Sequence, residues 1–109
     1  MARHEIPPGT LDMMILKTLA QGREMHGFEI ANAIQRLSED VLQVEEGSLY
    51  PALQRMLIKG WMTAKWGATA ENHRARYYRL TPAGRRQLEV ELSQFHRVMQ
   101  AVTRVIQTA

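Results

Sequence analysis

The sequence predicts a mostly α-helical fold with one small β-hairpin, followed by a long C-terminal helix. Up to Gly60, apolar residues recur at helical spacing in three separate segments. After Gly60 the spacing alternates in two short segments, which is the pattern of paired strands. Thr81-Pro82 then begins the last helix, since an N-cap residue is followed by proline at the first helical position. With 109 residues, the chain forms one small domain with one extended appendage.

The composition excludes several classes of protein. The chain contains no cysteine, so it has no disulfide, zinc–thiolate site or thiol nucleophile. The four histidines lack the spacing of metal ligands, no glycine-rich phosphate loop occurs, and nothing in the sequence suggests a catalytic partner for Ser48. The apolar runs are too short to span a membrane. We therefore expect a cytoplasmic protein that is not an enzyme and that binds no membrane, metal or cofactor.

The first two helices are located by their terminal residues and their apolar spacing. Thr10 is a plausible N-cap for the first helix, and Gly22 closes it. The second helix is expected to start at Met25-His26-Gly27, and a very short strand follows it at Leu42 and Val44. The residues expected to face the core are Leu11, Met14, Ile15 and Leu19 in the first helix and Ile30, Ala31, Ile34 and Leu37 in the second.

The third helix, over residues 48–59, carries a polar face suited to recognition. Ser48 begins it, Pro51 falls in its first turn, and Gly60 ends it. Its expected buried face comprises Leu49, Leu53, Met56 and Leu57. Its other face comprises Ser48, Tyr50, Gln54, Arg55 and Lys59. Hydroxyl, phenol, amide and cationic groups contact phosphates and base edges, so this face predicts a DNA recognition helix.

The hairpin, over residues 61–80, belongs to a strongly basic part of the chain. Residues 47–86 contain eight cations and one acid, a net charge of +7, whereas the rest of the chain carries −4. This asymmetry favours a polyanion-binding surface, although a solvated basic face is the alternative. Trp61 and Trp66 are expected to pack the sheet against the helices. The hairpin residues expected to contact DNA are Lys65, Arg74, Arg76 and Tyr77.

The last helix, from Thr81 to Ala109, has the clearest periodicity in the chain. Its apolar residues recur with the alternating spacing of a coiled coil. A helix of this length runs roughly 40 Å, which exceeds what a small domain can cover. We expect it to pair with a second copy, the alternative being a helix folded back on its own domain. The expected dimer interface is Leu88, Leu92, Phe95, Met99, Val102 and Ile106.

The predicted order of elements is that of a winged helix-turn-helix, with residues 1–80 as the winged domain and residues 81–109 as the dimerisation helix. In its order of elements and in four sequence segments, the chain resembles the PadR family of bacterial transcriptional regulators. Four segments carry the resemblance, in family order and spacing. They are Gly9-Thr10-Leu11-Asp12, His26-Gly27-Phe28-Glu29-Ile30, Gly47-Ser48-Leu49-Tyr50-Pro51-Ala52-Leu53 and Tyr77-Tyr78-Arg79-Leu80-Thr81-Pro82-Ala83-Gly84.

The resemblance implies a dimeric DNA-binding regulator, usually a repressor, with the single C-terminal helix of the short branch of the family. It implies that Tyr50 and its neighbours enter the major groove and that the wing reaches the flanking backbone. The wing tip, residues 71–76, departs from the family by lacking glycine and proline. Some members bind flat aromatic effectors between tryptophans of the dimer interface, but here the last helix has Phe95 and no tryptophan. An aromatic effector is therefore a secondary expectation.

Two other functional classes remain open at this point. The chain is alternatively a winged-helix RNA-binding protein or a protein-interaction module without specific DNA readout. The basic block argues against the interaction module. A dimer arranged for a palindrome argues against RNA, because that symmetry suits half-sites of duplex DNA. The prediction is therefore a sequence-specific regulator that binds an inverted repeat of double-stranded DNA as a homodimer.

Overall fold

A computed structural model describes residues 4–7 and 9–108 and contains four helices and five strands there. The predicted order of the elements is confirmed, and two additional two-residue strands occur. In chain order the elements are β1 (His4–Glu5), α1 (Leu11–Leu19), β2 (Met25–His26), α2 (Gly27–Leu37), β3 (Leu42–Gln43), α3 (Glu46–Ile58), β4 (Met62–Ala68), β5 (Arg74–Leu80) and α4 (Pro82–Gln107).

The first three helices enclose the hydrophobic core. Its fully buried side chains include Ile15, Leu16, Ile30, Leu53 and Met56. The predicted buried face of α3 is confirmed, with Leu57 half-buried at its edge. In α2 the prediction is wrong at one position. Leu37, at the C-terminal end of the helix, is exposed, and Ala33 is buried instead.

Of the expected helix start, Met25-His26-Gly27, only the last residue lies in the second helix. Met25 and His26 form β2, which pairs antiparallel with Tyr78 and Tyr77 of β5. Helix α2 begins at Gly27 because His26 caps it. The Glu29 N–H donates to His26 Nδ1 at 3.3 Å, and the His26 N–H donates to Glu29 Oε1 at 3.1 Å. This reciprocal pair satisfies two donors at the helix start, so the chain changes from strand to helix within one residue.

The hairpin forms a three-stranded antiparallel sheet in the order β2-β5-β4. Its two long strands stay in register from Met62 opposite Leu80 to Ala68 opposite Arg74. The connecting loop is therefore residues 69–73. Asn72 turns the loop with a left-handed φ of 64°, a conformation that asparagine tolerates well. Arg74 lies in a strand rather than at the tip.

Helix α3 begins two residues before the predicted Ser48. Glu45 is its extended N-cap residue, and the Ser48 and Leu49 N–H groups donate to the Glu45 carbonyl. Pro51 consequently lies in the second turn rather than the first. The helix ends as predicted before Gly60, whose φ of 77° is the left-handed conformation that glycine adopts readily.

Helix α4 packs its first turns against the winged domain and then extends beyond it. The Thr81 Oγ1 caps it by accepting the Gly84 N–H at 3.0 Å. Gly84 permits close packing, since a Cβ at this position would lie 2.0 Å from the Trp61 carbonyl oxygen. The predicted last residue, Ala109, lies outside the described residues. None of the helices in the described part of the chain is both long enough and apolar enough to cross a membrane.

Candidate nucleic-acid interface

The exposed face of α3 carries all five side chains predicted for it. Leu49, Leu53 and Met56 are anchored in the core, which fixes the rotation of the helix about its axis. This packing therefore sets the direction in which the polar residues on the other side of the helix face. The exposed residues are Ser48, Tyr50, Gln54, Arg55 and Lys59.

Tyr50 is the large side chain of this face, and α2 positions it. Its side chain is 47% exposed, yet the ring rests against the first residue of α2. A Cβ built on Gly27 would lie 2.9 Å from Tyr50 Cε1 and 3.0 Å from its hydroxyl oxygen. Glycine at position 27 thus leaves the space that the Tyr50 ring needs between the two helices of the helix-turn-helix.

The two cations at the C-terminal end of this face already have partners within the chain. The Arg55 Nη2 donates to Asp12 Oδ1 at 2.8 Å, which ties α3 to α1. The Lys59 Nζ lies 4.7 Å from the centre of the Trp61 ring. Both side chains are exposed, so these contacts orient the charges without removing them from solvent.

The register of the hairpin divides the predicted wing residues between two faces of the sheet. Arg74 and Arg76 lie on the same face as Trp66, because they pair with Ala68 and Trp66 across the strands. The guanidinium carbons of Arg74 and Arg76 lie 4.3 Å and 5.7 Å from the centre of the Trp66 ring. Neither arginine forms a salt bridge with any carboxylate whose side chain the structure describes.

Lys65 and Tyr77 lie on the opposite face of the sheet. The Lys65 Nζ is 3.2 Å from Glu24 Oε1, and Arg79 Nη2 reaches the same oxygen at 3.2 Å. The Tyr77 hydroxyl donates to the Ala68 carbonyl at 3.1 Å, and the Tyr77 ring packs over Gly67. Tyr77 thus braces the hairpin, and Lys65 faces an acid on the side of the sheet away from the arginines.

The expectation that both tryptophans pack the sheet against the helices holds for one of them. Trp61 packs at the edge of the core. Trp66 is 57% exposed and lines an open cleft instead of the core. The alternation of apolar residues correctly places Trp66 on the face of Met62 and Ala64. It does not indicate how far along the strand that face remains covered.

Helix α3 and the Trp66 face of the wing form the two sides of an open cleft of about 930 Å³. Tyr50 and Gln54 contribute from α3, and Trp66, Arg74 and Arg76 contribute from the wing. Two acids also line the cleft, Glu71 in the hairpin loop and Glu29, which the α2 cap holds. The cleft therefore combines hydrogen-bonding, aromatic and cationic groups between a helix and a hairpin.

The cleft also contains residues that the sequence did not single out. Phe28, at the second position of α2, lines it and is 65% exposed. Its position inside the His26–Ile30 segment was the available signal, because a large apolar residue directly after a helix cap does not fit the buried spacing of α2. Tyr78 lines the inner end of the cleft, where burial raises the pKa of its phenol and keeps the group neutral.

The predicted dimer residues on α4 differ in their exposure. Leu88 is 5% exposed within the single chain, so it belongs to the core of the winged domain and has no surface left for a partner. Leu92 and Phe95 are half-buried against the same core. Met99, Val102 and Ile106 are exposed, and Val98 and Val105 extend this apolar stripe.

The described part of the chain holds no cluster of three His, Asp or Glu side chains suited to a metal ion. Neither tryptophan lies on α4, whose one aromatic residue besides His96 is Phe95. The predicted site residues therefore lie mainly at two exposed surfaces, the cleft and the apolar stripe of α4.

Comparisons with known proteins identify relatives of this fold and sequence. Residues 15–90 match the model of the transcriptional regulator PadR-like family. A PadR-like transcriptional regulator from Bacillus cereus is 28% identical, with a TM-score of 0.75 over 93% of this chain and 95% of that chain. A PadR family transcriptional regulator from Eggerthella lenta is 26% identical, with a TM-score of 0.76 over 93% of this chain and 85% of that chain.

A transcriptional regulator from Clostridium thermocellum has the same fold, with a TM-score of 0.82. The match covers 91% of this chain and 95% of that chain, at 24% sequence identity. The winged helix and the long C-terminal helix are therefore a shared architecture.

Proposed function

The chain belongs to the PadR-like family of transcriptional regulators, and we propose that it represses transcription by binding an inverted-repeat operator as a homodimer. The family agrees with the expectation that the chain is not an enzyme. In this proposal α3 enters the major groove, and the Trp66 face of the wing contacts the adjacent backbone.

One observation carries the proposal. Tyr50 and Gln54 of the exposed polar face of α3 border the same cleft as the two arginines that form no salt bridge with a described residue. A recognition helix placed in the major groove brings the phosphates of the groove edge alongside it. Arg74 and Arg76 would then meet those phosphates, while Tyr50 and Gln54 would meet base edges. The contacts that position the protein and those that specify sequence thus come from adjacent elements.

The exposed part of α4 supports the homodimer. From Met99 to Ile106 the helix leaves the winged domain, and its apolar residues there have no partner among the described residues. Pairing of two such helices would cover them in both copies at once, as two-fold symmetry requires. Two recognition helices on one side of the duplex would read enough base pairs to select a site in a genome.

Selection of bound fragments from the source genome with the purified protein tests this function. We expect the enriched fragments to share an inverted repeat upstream of a gene, with half-sites about 34–36 Å apart or a multiple of that distance. A purified transcription reaction on that template should then yield less transcript when the protein is added.

Duplex RNA and a scrambled duplex DNA of the same length serve as controls in that selection. Preference for the RNA would favour the alternative winged-helix RNA-binding protein. Enrichment of neither nucleic acid would favour a protein-interaction module. Enrichment of fragments without internal symmetry would contradict the homodimer on an inverted repeat.

A further inference from the structure

Trp66 is a large aromatic residue that the core leaves uncovered. Its indole is more than half exposed near the end of β4. Burial in the core therefore does not explain why a tryptophan occupies this position. The guanidinium carbons of Arg74 and Arg76 both lie within about 6 Å of the centre of its ring. At that distance the electron-rich face of an indole attracts a guanidinium group.

The two arginines that Trp66 holds differ from the cations on the other face of the sheet. Lys65 and Arg79 share the carboxylate of Glu24. Arg74 and Arg76 form no salt bridge with a described residue, and the buried Nε of Arg76 has no hydrogen-bond acceptor. Contact with the ring restrains the guanidinium groups but occupies none of their N–H donors, so the donors other than the buried Arg76 Nε remain available to an anionic oxygen.

We propose that Trp66 is a positioning residue whose ring orders Arg74 and Arg76 for the phosphate oxygens of duplex DNA. An arginine that is already restrained loses less side-chain entropy when it binds, so its contact with phosphate gives more affinity. The inference rests on the proposed function and adds a specific role for Trp66, which acts through the arginines rather than by reading a base.

Three variants separate this role from packing. Trp66→Leu removes the aromatic face and keeps an apolar side chain, whereas Trp66→Phe keeps an aromatic face. Arg74→Ala with Arg76→Ala removes the groups on which the ring is expected to act. Binding is measured by fluorescence anisotropy on a labelled duplex of arbitrary sequence, because phosphate contacts do not depend on sequence. Thermal unfolding of each variant reports any loss of folded structure.

We expect Trp66→Leu to weaken binding about three- to tenfold, which is the effect expected from the loss of two exposed cation–π contacts. Trp66→Phe should retain most of the affinity. The slope of affinity against salt should stay unchanged in Trp66→Leu, since both cations remain. In the background without the two arginines, Trp66→Leu should have no further effect.

Equal losses from Trp66→Leu with and without the arginines would overturn the proposal, because the ring would then act on DNA or on folding directly. Full affinity of Trp66→Leu would overturn it as well. Failure of the proposed function appears differently, since the parent protein itself would then fail to bind the duplex at low salt.

Discussion

At the scale of single residues, contacts between elements decide which side chains of the recognition surface are available. Tyr50 is exposed at its end and supported at its ring edge by Gly27. Tyr77, the other tyrosine predicted to contact DNA, is used by the hairpin through its bond to the Ala68 carbonyl. The sequence predicts DNA contacts for two of the three tyrosines in the basic region, and only the packing distinguishes Tyr50, which faces outward, from Tyr77.

Gly27→Ala should test whether the position of Tyr50 matters for recognition. The added Cβ would lie 2.9–3.2 Å from three atoms of the Tyr50 side chain. These distances are shorter than van der Waals contact, so the ring must move. The backbone of α2 accepts alanine, because Gly27 has no left-handed φ. Specific operator binding should fall by about 1–3 kcal/mol if Tyr50 reads a base, with non-specific binding retained.

Anisotropy titrations on operator and scrambled duplexes measure the two affinities. Tyr50→Ala provides the background for the control, where adding Gly27→Ala should change little because the displaced ring is gone. A similar further loss in that background would show that position 27 acts through something other than Tyr50.

At the scale of elements, the sequence predicts the long periodic segments well and the shortest ones poorly. The helical spacing and the alternation after Gly60 correctly give the core face of α3 and the pairing of β4 with β5. The strands β1 and β2 were not predicted, since two residues are too few for a periodic signal and their pairing comes from distant segments.

Alternation along the wing also assigns residues to two faces without showing which face adjoins α3. That depends on how the sheet docks on the helices, which is a tertiary property. Lys65 and Arg76 are equally basic in the sequence, yet only Arg76 lies on the cleft side. We therefore expect a DNA molecule bound at the cleft to contact Arg76 rather than Lys65.

The two faces of the wing should differ in the salt dependence of DNA binding. Arg74→Ala or Arg76→Ala should each lower the log–log slope by about 0.9, since each removes one phosphate contact on the cleft side. Lys65→Ala and Arg79→Ala are matched single-charge changes on the Glu24 side, and we expect their slopes to equal that of the parent. Titrations over a series of salt concentrations on one duplex give the slopes. A reduced slope for Lys65→Ala would place both faces against DNA.

At the scale of the whole molecule, the two ends of α4 have different surroundings. Its first turns complete the core through Leu88, and its later turns carry an apolar stripe beyond the domain. The heptad pattern does not separate these parts, because a side chain buried within its own chain and one buried by a second copy have the same spacing. The change in exposure along the helix separates them.

The dimer should therefore depend on the later turns of α4 alone. Val102 and Ile106 are 43% and 75% exposed in the single chain, so Val102→Asp with Ile106→Asp places two charges in the expected interface and leaves the core intact. Each apolar side chain covered there contributes roughly 1.5–3 kcal/mol before ordering costs. We expect the variant to be a folded monomer by sedimentation equilibrium, with operator affinity reduced because each recognition helix then binds one half-site alone.

Ser93→Asp with Gln100→Asp is the matched control for that variant. Both residues are exposed and lie on the opposite side of α4 from Val102, at about 100° per residue. This variant adds the same two charges to the same helix, so it should remain a dimer with the operator affinity of the parent. If both double variants stay dimeric at micromolar concentration, the two copies associate through another surface, and the stripe from Met99 to Ile106 does not form the dimer.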